Sequence, residues 1–217
     1  MNLDLFQGLA ETEPRNEPLA DGAVVLRRFA LPREKEILAA LHDVATNAPF
    51  RHMITPGGYR MSVAMTNCGP LGWVSDKTGY RYQAVDPDTG EPWPEMPQVF
   101  SDLAGSSASA AGFPNFSPDA CLINHYEPGA KLSLHQDKDE HDFQQPIVSV
   151  SLGLPAVFLF GGLKREEKTR RIPLAHGDVV VWGGPSRLRY HGVTPLKEGN
   201  HPLLGNFRIN LTFRKAA

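Results

Sequence analysis

At 217 residues, 41% of them hydrophobic, the chain can bury one substantial core with room for an extension, and its composition is that of an ordinary globular protein. The two cysteines, Cys68 and Cys121, form neither a C-x-x-C pair nor a zinc-ribbon spacing and fit a reducing compartment; with no membrane-length apolar run and no basic segment leading into an apolar one at the amino terminus, a cytoplasmic location is expected. The net charge of −2 is unevenly divided, −9 over residues 1–159 against +7 over residues 160–217, so part of the surface either meets phosphates or simply faces water.

The first twenty or so residues, with Pro14, Pro18 and scattered acids, read as an irregular arm. Val24 to Phe29 is expected to be a strand, followed by a helix with Pro32 at or near its first position. Ile37, Leu38, Leu41, Val44 and Ala45 recur at helical spacing, and the helix stops before Pro49 because the residue preceding a proline is pushed out of the α region. From Thr55 to Tyr82, a stretch dense in glycine and polar residues crowds together Tyr59, Met61, Met65, Trp73, Tyr80 and Tyr82. These side chains lack a core periodicity. They either cover the edge of a sheet or present flat faces of the kind on which an unpaired base stacks. A second helix is expected from about Pro97 to Ala111, a poor one given Gly105 and its serines.

After Pro118 the chain turns to short alternating runs separated by glycine and proline. Strands are expected at Cys121 to Glu127, Leu132 to Gln136, Ile147 to Leu152, Ala156 to Phe160, Arg170 to Leu174, Asp178 to Trp182, Leu188 to His191 and Phe207 to Arg214. Such a series predicts a mainly β sandwich or jelly roll. Residues 1–117 are read as an extension with supporting helices, and residues 118–217 as the core.

Two His-x-Asp pairs compete for a metal-binding role. On a strand, residues two apart project from one face, so a neutral imidazole and an ionised carboxylate can share one ion, with a second histidine completing a facial triad. His176-Gly177-Asp178 is expected to be a turn between strands, which aims side chains poorly. His135-Gln136-Asp137 ends an alternating strand and runs into the charged loop Lys138-Asp139-Glu140, with His191 as third ligand. The last strand adds a second polar group. Arg208, Asn210, Thr212 and Arg214 alternate with three apolar residues; a half-exposed strand whose polar face meets water gives the same pattern. Two arginines framing an amide and a hydroxyl also suit a small dicarboxylate, because guanidinium and carboxylate pair in fork geometry. Asn124 and Tyr126 share one face of an earlier strand and can donate further hydrogen bonds.

Asn124-x-Tyr126, His135-x-Asp137, His191 and Arg208-x-Asn210-x-Thr212-x-Arg214 together resemble the AlkB family of Fe(II)- and 2-oxoglutarate-dependent dioxygenases. Thr55-Pro56-Gly57-Gly58-Tyr59, Met65 to Gly69 and Val179 to Gly184 extend the resemblance over nearly the whole chain. It implies a double-stranded β-helix core with a nucleotide-recognition lid at about residues 55–95. It also implies Fe(II) on His135, Asp137 and His191, and O2 and 2-oxoglutarate as co-substrates. The 2-oxoglutarate would lie with Arg214 near its metal-side carboxylate and Arg208, Asn124 and Tyr126 on its distal carboxylate, assisted by Asn210. Alkylated DNA, with RNA as an alternative, is the implied substrate; separately, a monomer without an obligate protein partner is expected. An N-methyl group on a flipped-out 1-methyladenine or 3-methylcytosine would be hydroxylated and lost as formaldehyde. Trp73 would clamp that base against His135, Tyr80 and Tyr82 would bind the nucleic-acid backbone, Asp139 would face the exocyclic amine, and Arg165 would add a substrate contact. His125 and Arg81 depart from the family pattern, and Arg81 can add a phosphate contact. The same cofactor chemistry on a protein or small molecule, and a jelly roll that binds without turnover, are the alternatives.

Overall fold

A computed structural model describes residues 14–217. Thirteen strands and two α-helices follow in order: β1 (Arg15–Ala20), β2 (Ala23–Arg27), α1 (Glu34–Asn47), β3 (Ala64–Cys68), β4 (Gly72–Asp76), β5 (Gly79–Gln83), α2 (Gln98–Ala110), β6 (Ala120–Tyr126), β7 (Leu132–His135), β8 (Ile147–Gly153), β9 (Ala156–Phe160), β10 (Arg170–Leu174), β11 (Val179–Trp182), β12 (His191–Val193) and β13 (Arg208–Arg214). Among the described residues, seven strands form one antiparallel sheet in the order β1-β2-β11-β8-β13-β6-β3, four form a second in the order β10-β9-β12-β7, and β4 and β5 pair only with each other. The two larger sheets face each other as the double-stranded β-helix.

Alternation along the strands builds two apolar layers. Leu122, Tyr126, Ile147, Val180 and Trp182 of the larger sheet meet Phe158, Phe160, Ile172 and Val193 of the smaller one. On the larger sheet's other face, Cys121, Ile123, Val179, Val181, Ile209, Leu211 and Phe213 pack against Ile37, Leu41 and Val44 of α1 and Phe100, Leu103 and Ala104 of α2. The helices therefore cover the sheet that carries much of the site. They brace it from outside, packing against Ile209, Leu211 and Phe213 of β13, so that Arg208, Asn210, Thr212 and Arg214 project from the sheet's other face.

Two expectations require correction. Residues 15–20 are a strand, not an irregular arm: β1 pairs with β2 through a bulge between Pro18 and Ala20. The rest of the expected arm, residues 1–13, lies outside the described residues. The strand expected at Leu188 to His191 instead begins at His191, because Gly184–Ser186 form a 3₁₀ turn that consumes the preceding segment. The polar face of β13 does not meet water, since all seven residues of the strand are buried. Segment 15–68 contributes β1, β2 and β3 to the same sheet as the strands after Pro118.

Candidate active site

β12 pairs antiparallel with β7, and His191 lies directly opposite His135, which sets the two imidazole rings 4.4 Å apart. The register then shifts, so that Val193 faces Leu132; the bulged residue turns the end of β7. Gly192 permits the close approach, since a Cβ there would lie 2.6 Å from the carbonyl oxygen of Leu132. Asp137 follows just beyond the strand. Its Oδ1 is 3.6 Å from Nε2 of His135 and its Oδ2 is 3.6 Å from Nε2 of His191, and ligand atoms of all three residues fall within 4.8 Å of one another.

The donor atoms are oriented for a cation. Nδ1 of His135 lies 2.8 Å from the carbonyl oxygen of Ser133, and Nδ1 of His191 lies 3.0 Å from that of Arg189. A carbonyl only accepts, so each Nδ1 carries the proton and each Nε2 keeps its lone pair for the shared centre. Burial, reinforced by His191, lowers the pKa of His135 to about 4 despite Asp137 nearby. Burial works against ionisation of Asp137, but the Arg214 guanidinium beside it outweighs this and holds the carboxyl well below its usual range. Two imidazole Nε2 atoms and one carboxylate converging on one point fit a divalent iron.

The second polar group lies behind the triad. In β13, Arg208 faces Tyr126 and Asn210 faces Asn124 across β6, while Asn210 faces Ser151 and Thr212 faces Ser149 across β8. Asn210 is fully engaged: its amide nitrogen donates to Oγ of Ser149 at 2.8 Å and to the carbonyl of Val150 at 2.9 Å, and its Oδ1 accepts from Thr212 at 2.9 Å. Arg208 is not. It is 2% exposed, its Nη2 donates to Ser151 Oγ at 3.0 Å, and its guanidinium carbon lies 5.0 Å from the Tyr126 ring centroid. Its Nε and Nη1 have no hydrogen-bond partner among the described residues, and Asn124 Oδ1 is likewise unpaired. A buried guanidinium with two unused donors is costly unless an anion completes it. The distal carboxylate of 2-oxoglutarate fits that vacancy in charge and fork geometry.

Arg214 stands on Asp137: its Nε and Nη2 donate to Oδ2 at 3.0 and 2.7 Å. It also lies 3.4 Å from Glu140 Oε1, and its Nη1 donates to the Tyr82 hydroxyl at 3.4 Å. Glu140 gathers this cluster. It accepts from Tyr82 at 2.6 Å and from Nη2 of Arg187 at 3.0 Å, while Nη1 of Arg187 donates to the backbone carbonyl of Asp137 at 2.8 Å. Sequence reasoning missed Glu140 and Arg187. Glu140 was visible only as part of a charged loop, and Arg187, 47 positions away, carries no local pattern.

The β4–β5 hairpin supplies the aromatic residues. Trp73 Nε1 donates to Asp139 Oδ2 at 2.9 Å, and its ring stacks on Tyr80 with centroids 5.5 Å apart and planes 14° apart. The hairpin thus meets the triad loop directly. The Tyr82 hydroxyl points inward to Glu140, and Arg81 is engaged within the hairpin itself, donating to Asp76 at 2.7 Å and Thr78 at 2.9 Å. Arg165 lies in the β9–β10 loop with its guanidinium carbon 5.8 Å from the Tyr190 ring centroid. His125 sits between Phe50 and Phe207, at 5.3 and 4.7 Å between centroids, away from the triad face of β6.

The rival pair has another task. Asp178 accepts from Arg27 Nη1 at 2.7 Å and from the backbone N–H groups of Arg28 and Ala175, both at 2.9 Å. His176 bridges the Gly153 N–H and the Glu34 carboxylate at 2.8 and 2.6 Å.

A double-stranded β-helix with a His-x-Asp…His triad and an unsatisfied arginine behind it is the architecture of a non-haem iron oxygenase that uses 2-oxoglutarate. Residues 22–214 match the 2OG-Fe(II) oxygenase superfamily. The chain is 63% identical over 214 residues to the alpha-ketoglutarate-dependent dioxygenase AlkB of Escherichia coli K12, covering 99% of this chain and 98% of that one. It is 33% identical over 171 residues to the DNA N(6)-methyladenine demethylase ALKBH1C of Arabidopsis thaliana, covering 67% of this chain and 38% of that one. The solved structure of OsALKBH1 superposes with a TM-score of 0.82 at 31% identity, covering 93% of this chain and all of that one. The chain belongs to the AlkB family of Fe(II)- and 2-oxoglutarate-dependent dioxygenases, and its cofactors are Fe(II), 2-oxoglutarate and O2. Among the described residues no helix is long and apolar enough to cross a membrane.

Proposed function

We propose that the protein repairs N-alkylated bases in DNA, such as 1-methyladenine and 3-methylcytosine, and the same lesions in RNA, as a cytoplasmic monomer. The observation that carries this reading is the hydrogen bond from Trp73 to Asp139, which joins an aromatic face and an exposed carboxylate two residues from Asp137. A flat ring bearing positive charge, as these lesions do, matches both groups: the face stacks on it and the carboxylate pairs with it.

In this reading His135, Asp137 and His191 hold the iron, and Arg208 completes its hydrogen bonds on the distal carboxylate of 2-oxoglutarate beside Asn124 and Tyr126. Asn210 lies opposite Asn124 and accepts from its Nδ2 at 3.5 Å, and Arg214 and Arg187 fix the side chain and carbonyl of Asp137. Bound iron with 2-oxoglutarate and O2 supplies the oxidation that hydroxylates the N-methyl carbon, with succinate and CO2 formed alongside. The hydroxymethyl base then loses formaldehyde, regenerating the unmodified base. Arg165 and the lysines of its loop provide positive charge for phosphates beside the slot.

The test is anaerobic loading with Fe(II), followed by mixing with 2-oxoglutarate, O2 and an oligonucleotide carrying 1-methyladenine. Stoichiometric succinate, formaldehyde and adenine are expected. Absence of both succinate and repaired base overturns the reading, and succinate without repair redirects it to a protein or small-molecule substrate.

A further inference from the structure

Among the described residues the hairpin that carries Trp73 joins no larger sheet, and a lone pair of strands is marginally stable in water. Yet Trp73 is held from several sides. The side-chain amide of Asn67 grips its backbone both ways, donating to the carbonyl and accepting from the N–H, each at 3.0 Å. Asp139 holds the indole N–H at 2.9 Å, and the Tyr80 ring lies against the indole at 14°. Tyr80 is 48% exposed, so burial in the core does not account for its position. Its strand is in turn fixed at the hairpin tip, where Asp76 accepts from the Thr78 N–H at 2.7 Å and from Arg81 at 2.7 Å. Among the described residues no second aromatic ring stacks on the indole.

We propose that Tyr80 is a positioning residue: its ring backs Trp73 and fixes the indole plane as a ready-made wall for a flat ligand. This rests on the reading of Trp73 as the wall of the base slot. A free indole would rotate about its side-chain torsions, and ordering it on binding would weaken the complex. An offset-stacked aromatic pair is worth about 0.5–1.5 kcal/mol beyond burial, or on the order of two- to tenfold in an equilibrium constant. The hairpin therefore reaches ligand with its wall already oriented by Tyr80 behind and Asp139 at the edge.

The test separates ring from hydroxyl and needs no substrate in its first arm. In the full chain labelled with indole ¹⁵N, the Trp73 Nε1–H resonance is assigned by its loss in Trp73→Phe. Tyr80→Leu should speed its exchange with solvent on the order of two- to tenfold, and Tyr80→Phe should restore protection. The resonances of Trp93 and Trp182 report whether the fold is intact. Unchanged protection in Tyr80→Leu, or equal loss in both variants, overturns the proposal. In the second arm the dissociation constant for an oligonucleotide with 1-methyladenine is measured anaerobically on the Mn(II)-loaded enzyme. Weaker binding by Tyr80→Leu with rescue by Tyr80→Phe supports it, and equal weakening in both, as a hydroxyl-to-phosphate contact would give, overturns it. Lost protection with unchanged oligonucleotide affinity keeps the backing contact but overturns Trp73 as the base wall.

Discussion

Arg214 directs two of its nitrogens to a single oxygen of Asp137, Oδ2, at 3.0 and 2.7 Å. A carboxylate paired in this way with a guanidinium is ionised and fixed before any cation arrives. Replacing Arg214 by Leu leaves buried Asp137 without its guanidinium partner, while Glu140 keeps Arg187. We expect this to cost about 3–5 kcal/mol in urea denaturation, with part regained on adding Mn(II), which supplies positive charge to the same carboxylate. A loss of the same size with and without Mn(II) would show that Arg214 supports the fold independently of the metal position.

Arg208 predicts the opposite balance. Its unpaired Nε and Nη1 make it a liability until an anion binds. Arg208→Leu should leave the stability of the free protein unchanged or higher, while the rise in melting temperature given by 2-oxoglutarate with Mn(II) disappears. An unaltered ligand-induced shift would place the dicarboxylate elsewhere.

The pH dependence follows from His135, whose pKa falls from 6.5 to about 4 in the folded chain. Between those values the unfolded chain binds the proton and the folded one does not. This histidine therefore lowers stability as pH falls from 6.5 toward 4, and has no such effect above 6.5. Metal affinity, read by titration with Mn(II), should be insensitive to this group above about pH 5 and drop as protonation at Nε2 competes near pH 4. A drop centred near 6.5 would mean that the imidazole is not held neutral.

The two His-x-Asp pairs should separate under substitution. Asp178→Ala removes one of the two carboxylate partners of buried Arg27, which keeps Glu17, and the acceptor for two backbone N–H groups; it should cost about 1–3 kcal/mol for each donor left unpaired while leaving metal affinity intact in the folded fraction. Asp137→Ala should abolish metal binding. Isothermal titration with Mn(II) distinguishes the two, and loss of affinity in folded Asp178→Ala would reopen the choice.

Much of the core and the grouping of triad residues was legible because both follow from short-range patterns. Alternation placed Arg208, Asn210, Thr212 and Arg214 on one face, and the His-x-Asp spacing put two ligands together at the end of β7. The same alternation could not say whether the polar face of β13 met water or a cavity, since that depends on the smaller sheet lying opposite. The start of β12 was misplaced because Leu188 to Tyr190 have strand-like residue types, whereas the 3₁₀ turn before them is set by Pro185 and contacts with the Asp21 backbone. Arg187 and Glu140 meet across 47 positions through side chains alone, and no periodicity records such a pair.

The separateness of the β4–β5 hairpin has a consequence for how substrate range can change. Its strands share no ladder with those that align His135 opposite His191, so an altered hairpin need not disturb that register. A grafted replacement of different length or composition should retain metal and 2-oxoglutarate binding if it preserves an N–H donor at position 73 for Asp139 and a hydroxyl at position 82 for Glu140. Trp73 and Tyr82 reach Asp139, Glu140 and Arg214 through side chains, and Asn67 and buried Val74 tie the hairpin to the larger sheet and the core, so variation at its exposed positions can act while the triad register stays constant.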